Sequence, residues 1–326
     1  MSFGDIYGHD KQIAILQTTM ARRRVPHAYL FYGMKGIGKR TTAVVFAKAM
    51  NCREGEKVFD ACDRCSSCRK TDHKNHPDVT IVEAEGQFIR IGEIRYLQNQ
   101  MKFKPLEGGK RIFIIVDADK MNIIAANALL KTLEEPSPSN ILILITSRPY
   151  QLPLTVLSRC QHLRFNPLQR KTVTSFLQDR LSMDAESAMV LASSSVGSIG
   201  KALEMSRDAF LTLRNTILSK ISENQMEDPL NVLSFAGDFG KDRREIIDRL
   251  NILRTCYRDA LVYKETAKTE RLINQDCVET VKSIADRLSG RDILNNIKTV
   301  GWALDAIDRN ANKTLTLEAM MFKIVW

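Results

Sequence analysis

The run Gly33-Met34-Lys35-Gly36-Ile37-Gly38-Lys39-Arg40 has the composition of a phosphate cradle. Glycines let backbone N–H groups close on an anion and a lysine adds a point charge. In the full template G-x-x-x-x-G-K-[S/T] a hydroxyl then ligates magnesium. Arg40 fills the hydroxyl's place and Thr41 comes one residue late, so the cradle is present without its metal anchor. Backbone amides and Lys39 can hold the phosphates of ATP or ADP, weakly if at all, when magnesium support is poor. Arg40 either reaches phosphate itself or plugs the pocket.

Cys52, Cys62, Cys65 and Cys68 form C-x9-C-x2-C-x2-C directly after the loop's helix. Two two-residue spacings make tight thiolate turns, and four soft thiolates satisfy tetrahedral zinc with no open coordination position. The spacing therefore predicts a structural Zn²⁺ with no part in catalysis. Disulfides would need an oxidising compartment, and nothing here indicates secretion. His73 and His76 are surplus once four cysteines bind, and His76-Pro77-Asp78 starts the next strand. Cys160, Cys256 and Cys277 stand isolated, as packing residues do.

A nucleotide site also needs acids at the end of a buried strand, one for the magnesium shell and one for the attacking water. The run Arg111-Ile-Phe-Ile-Ile-Val116-Asp117-Ala118-Asp119 offers one such acid in either register. If Asp117 is the metal acid, Ala118 has replaced the base; if the tail sets the register, Val116 has replaced the metal acid. Hydrolysis is poorly equipped either way. Thr146, at the end of the apolar run Ile141–Ile145, suits a phosphate-sensing position or a strand cap.

These groups must be held by a scaffold, and the flanks supply one. His27–Tyr32 reads as a strand and Thr41–Met50 as a helix, the setting a phosphate loop requires. Strands and helices alternate to about Asn166, Pro167 marks a switch, and the remainder is helical. The expected fold class is α/β. Residues 1–166 form a nucleotide-binding-like domain with a parallel sheet, 167–206 a small helical lid and 207–326 an all-helical domain. Ile246, Ile247, Leu250, Leu253, Tyr257 and Leu261 draw one apolar stripe in the last of these.

With 326 residues and 44% apolar content the chain suits two or three ordinary domains. Its apolar runs are too short to span a bilayer and its first residues lack a signal pattern, so a cytoplasmic setting is expected. A formal charge of +10 suggests attraction to phosphate backbones, with Arg22-Arg23-Arg24 the densest cluster, though such clusters are usually solvated helix ends. No nucleic-acid recognition motif is seen, so DNA contact would be to backbone phosphates and indifferent to sequence.

Asn127-Ala-Leu-Leu-Lys-Thr-Leu-Glu-Glu-Pro136, the strand Ile141–Thr146 and Ser158-Arg159-Cys160 together resemble the bacterial clamp-loader AAA+ family. The resemblance covers the whole chain: Phe3-Gly-Asp-Ile-Tyr-Gly8-His resembles the family's adenine-side box, and Asn310–Glu318 its last collar helix. Within the family it is closest to the delta prime type, on three losses. Arg40 replaces Ser/Thr, one strand-end acid is missing, and Gly200 stands where the hydrolysing motors carry a sensor arginine, with Lys201 displaced by about 100 degrees around the helix.

The resemblance implies that Ser158-Arg159-Cys160 projects an arginine into a neighbouring subunit's ATP site; the plain alternative is an arginine paired with a local carboxylate. It implies a collar role for the third domain. The implied partners are gamma/tau and delta subunits, a sliding clamp, and primer-template DNA entering a ring whose opening this chain borders. Two rivals remain: a gamma/tau-type motor using Thr41 and Asp117, and a scaffold of another replication or repair complex.

Overall fold

A computed structural model of the chain describes residues 1–54, 59–84, 86, 88–107, 109–207, 210–222, 228–240 and 242–326. Part of the cysteine loop (55–58) and the junction at 208–209, where the third domain was expected to begin, lie outside this set.

Apolar runs built from β-branched and aromatic residues form five parallel strands: β1 (Ala28–Tyr32), β2 (Val79–Val82), β3 (Arg111–Ile115), β4 (Asn140–Thr146) and β5 (Gln161–Arg164). Their order is β2-β3-β4-β1-β5. The central strands β3 and β4 are buried throughout, as strands covered on both faces must be, while edge strand β5 buries only Leu163. One face of the sheet contributes Leu30, Phe113, Ile115 and Leu144 to a core with Ile94, Leu97 and Leu129; the other places Tyr29, Phe31, Ile114 and Ile143 against Phe46 and Ala43.

Helix α1 (Asp10–Ala21) precedes the first strand, and the helices between strands are α2 (Lys39–Met50), α3 (Ser66–Asp72), α4 (Ile91–Gln100), α5 (Ile123–Glu134) and the one-turn α6 (Leu154–Leu157). The chain leaves β1 toward β2 on one side and β4 toward β5 on the other. The switch point therefore falls between β1 and β4, where open α/β sheets form their binding crevice. Gly33 N donates to Thr146 O across that point at 3.3 Å. The strand expected from His27 begins at Ala28, and the helix expected from Thr41 begins at Lys39.

Beyond the sheet the described chain is helical: α7 (Arg170–Leu181), α8 (Ala185–Ser194), α9 (Ile199–Arg207), α10 (Phe210–Ser222), α11 (Pro229–Gly237), α12 (Arg243–Thr266), α13 (Val278–Arg287), α14 (Gly290–Asp308) and α15 (Lys313–Lys323). Contacts divide the chain into two compact units, residues 1–176 with 196–201, and 177–195 with 202–326. In the second, Ile246, Leu250, Leu253 and Tyr257 of α12 are buried, and Ile247 and Leu261 half-buried, so the stripe is an internal bundle face.

That bundle also contains a polar core. Arg214 is buried, donates twice to Asp276 (both 2.7 Å) and twice to Asn274 Oδ1 (3.0 and 2.9 Å). Asp259, fully buried, accepts from the amides of Ile273 and Asn274 and from Asn274 Nδ2. The buried charges are thus paired and bonded, as burial demands.

Candidate functional site

The phosphate loop joins β1 to α2 at the switch point. Gly33 and Gly36 need their freedom, with φ of 148° and 77°; a Cβ on Gly33 would come within 2.3 Å of the Phe165 carbonyl oxygen. Lys39, 7% exposed, donates from Nζ to the carbonyls of Gly33 and Met34, both at 2.6 Å. Desolvation pulls its ammonium down to about 8, against the attraction of Asp117 and Asp119.

His9 holds the loop from outside, its Nε2 2.6 Å from the Ile37 carbonyl. Because a carbonyl only accepts, Nε2 carries the proton. Burial, the main influence, holds this imidazole below its ordinary range, so the ring stays neutral. Arg40 neither reaches into the loop nor fills it: it pairs with Glu83 beyond β2, at the surface. Thr41 is half-buried, and the next hydroxyl, Thr42 Oγ1, is spent on the Gly38 carbonyl at 3.0 Å. Gly200 lies with its backbone on Gly36.

At the strand ends, Ile115 pairs with Leu144, and Asp117 and Thr146 each follow two residues beyond that last pair. Asp117 adopts a left-handed φ of 50° and meets Lys120 at 3.1 Å. Its neighbours Val116 and Ala118 pack into the two apolar cores, so a single acid stands there whichever register is read. Thr146 Oγ1 donates to Asp119 Oδ1 at 2.5 Å and accepts from the Arg148 amide at 2.9 Å. The hydroxyl at the sensing position is therefore committed to a protein carboxylate.

Arg159 follows the short helix α6. Its Nη2 lies 2.8 Å from Glu134 Oε1, and Nη1 donates to the Thr155 carbonyl (2.9 Å) and to Ser158 Oγ (3.4 Å). Ser158 Oγ donates to the Thr155 carbonyl at 3.2 Å. Local pairing with a carboxylate is thus the arrangement in the lone chain. Such a half-exposed pair is worth about 0–1 kcal/mol and is easily exchanged. Burial pushes the Cys160 thiol up to about 12, which leaves it a packing group rather than a nucleophile.

The sulfurs of Cys52, Cys62, Cys65 and Cys68 lie within 4.8 Å of one another. Amides of Cys62, Cys65 and Cys68 donate to the sulfurs of Cys52, Cys62 and Cys65 at 3.4, 3.3 and 3.4 Å, the bonds that stabilise thiolate. At Cys65 burial opposes ionisation, yet donation from Cys68 and Arg53 outweighs it and holds the thiol at about 6. Four such sulfurs suit a soft, tetrahedral cation and could hold a metal ion.

Around this cluster the structure adds residues that sequence reasoning had not singled out. Lys48 of α2, 1% exposed, bonds Asp72 of α3 at 2.5 Å, pairs with Asp63, and donates to the Met1 carbonyl at 3.2 Å. His76 stands outside the four-cysteine cluster, as expected, and has a structural role: buried, it bonds Ser67 Oγ at 3.0 Å while its Nδ1 accepts from the Asp78 amide. His73 sits exposed at the end of α3.

No helix among the described residues is long and apolar enough to cross a membrane. A family model described as DNA polymerase III, delta subunit, matches residues 8–169, and one described as DNA polymerase III, delta subunit, C terminal, matches residues 208–325. Subunit delta' of Bacillus subtilis (strain 168) DNA polymerase III is 32% identical over 317 residues, covering 95% of this chain and 94% of that protein. Subunit tau of the same organism is 28% identical over 325 residues, and there the match spans 57% of the relative's length against 90% of this chain. The solved structure of a Thermotoga maritima protein related to the gamma subunit aligns with a TM-score of 0.44 and 17% identity, covering 95% of this chain and 97% of that one. By the family models and the match to subunit delta', the chain belongs to the clamp-loader family of bacterial DNA polymerase III subunits, in its delta prime branch.

Proposed function

We propose that this chain is a largely non-hydrolysing clamp-loader subunit that completes a neighbour's ATP site with Arg159 and helps load a sliding clamp onto primed DNA during replication. The observation that carries this reading is the state of its own site. The phosphate cradle is formed, but Arg40 is turned to Glu83, one acid stands at the strand end, and Thr146 is bound to Asp119. Magnesium and the attacking water thus lack their usual holders. ATP or ADP would meet Lys39 and the loop amides and little else.

In this reading residues 167–206 act as a lid and 207–326 as a collar against gamma/tau and delta subunits. The four cysteines hold a structural Zn²⁺, DNA is met through its phosphates alone, and the complex works in the cytoplasm. Arg159 exchanges Glu134 for a phosphoryl group developing charge in the adjacent subunit. Finger arginines are worth about 10³–10⁵ in rate at the site they serve.

Arg159→Ala should therefore leave assembly intact and slow ATP hydrolysis of the reconstituted complex by at least about tenfold. Unchanged hydrolysis would remove the finger. The similarity to subunit tau favours a second reading, a hydrolysing motor. Steady-state ATPase of the isolated chain separates the two: a turnover near about one per second that vanishes in Lys39→Ala would establish the motor. Failure to co-purify with clamp-loader subunits would favour a scaffold of another complex.

A further inference from the structure

Every carbonyl of the phosphate loop from Gly33 to Gly38 has a donor. Lys39 takes Gly33 and Met34, and Thr42 takes Gly38 with its amide at 2.9 Å and its hydroxyl at 3.0 Å. The three between are held from elsewhere in the chain: Lys35 by Ser198 Oγ at 2.9 Å, Gly36 by the Gly200 amide at 2.7 Å, and Ile37 by His9. Fixing the carbonyls on one side fixes the amides toward the other, which is how a loop is set for an anion before one arrives.

The Gly200 contact has no room to spare. A Cβ there would stand 2.7 Å from Gly36 Cα and 3.0 Å from its carbonyl oxygen, both backbone atoms that cannot swing away. Gly200 lies in the first turn of α9 and its φ is not positive, so any residue could adopt this backbone. Space alone demands glycine. A Cβ on Gly36, itself at φ 77°, would in turn come within 2.6 Å of Ser198 Oγ.

We infer that Gly200, together with Ser198, is a positioning residue that braces the phosphate loop from its carbonyl side, so that glycine at this position is a fitted part and not merely a missing arginine. The inference rests on the reading above that this chain does not use a sensor arginine of its own. A side chain reinstated at position 200 would pry the segment off the loop before it could reach a nucleotide.

Limited trypsin digestion of the whole chain tests it, because Lys35 is exposed at the loop's tip and cleavage there reports local opening. Gly200→Ala should speed cleavage after Lys35 by about tenfold, the population shift expected of overpacking, while other sites and the thermal midpoint barely move. Gly200→Arg should do at least as much, and Ser198→Ala, which removes a single hydroxyl and guards against misfolding of the arginine variant, should give a smaller rise confined to the same bond. Gly92→Ala is the control: this exposed glycine of α4 has no atom within 4 Å of an added Cβ, and cleavage should be unchanged.

Wild-type cleavage in both Gly200 variants, or a rise shared equally by all sites, overturns the brace. ATPase measured on the same preparations keeps the two ideas apart. Vigorous hydrolysis by the wild-type chain would refute the functional reading and leave the brace standing, and unchanged digestion would do the reverse.

Discussion

Helix α2 carries a buried lysine near each end, and the two are treated in opposite ways. Lys39, in its first turn, bonds carbonyls, and desolvation brings it down to about 8. Lys48, in its last turn, is equally buried, yet Asp63 and Asp72 overcome the desolvation and raise it above its ordinary range. One cation has its charge answered by the protein; the other meets only dipoles and two distant acids. The difference separates a structural clasp, which ties the cysteine segment to the sheet domain, from a buried cation bonded to loop carbonyls at some expense to folding.

The largest expected effect concerns the clasp's own anchor. On the proposal that the four cysteines hold zinc, treatment with EDTA, or Cys65→Ser, should strip order from the segment facing Lys48, since structural zinc contributes on the order of 10 kcal/mol at neutral pH. Hydrogen exchange should then show protection lost in α3 and kept in the first turns of α2. Equal loss at both ends would break the comparison, and purified chain without zinc would remove the metal.

Next in size is Lys48→Met, which keeps the stem and deletes the charge. Two ion pairs and the bond to the Met1 carbonyl are lost while the carboxylates regain some water, so urea unfolding should show a loss of about 1.5–3 kcal/mol. The sign with pH follows from a raised folded pKa. The contribution is complete below the unfolded value of 10.5 and fades as pH climbs through the higher folded value.

The smallest effect has the opposite sign. Lys39→Met should stabilise the chain at pH 7 by about 1–2 kcal/mol, less than the roughly 3 kcal/mol that a drop from 10.5 to about 8 implies alone, because the Gly33 and Met34 carbonyls offset part of the desolvation. Between those two pH values the folded chain binds fewer protons than the unfolded one, so the wild type gains stability as pH rises and the advantage of methionine shrinks. Matched denaturation curves at pH 7 and pH 10 measure it. A destabilised Lys39→Met at pH 7 would mean that the two lysines are alike after all.

What could be read from the chain beforehand was whatever depends on near neighbours. Strand, glycine loop and helix lie within some two dozen residues, and the cysteine spacing is local too, so both were legible as patterns of residue type. Contacts that need the sheet to close were not. Arg40 finds Glu83 only because β2 ends beside α2, Arg159 finds Glu134 across two intervening elements, and Thr146 reaches Asp119 only once β3 and β4 are in register. Position 200 could be noticed as a place without an arginine, but its partner Gly36 lies far away in the chain and carries no side chain to signal the fit. Lys48 hid in plain view, a helix-end lysine of the kind usually left in solvent.

The fork of Arg214 has a consequence for the helical unit. Four of its bonds converge on two side chains that lie in one turn between α12 and α13, so a flat, rigid donor is matched to acceptors at fixed bearings. A lysine would conserve the charge and forfeit the shape, since one ammonium cannot span both acceptors. The bundle is thereby keyed to a guanidinium, and drift at this position should be tolerated far less than among the aliphatic residues packed around it.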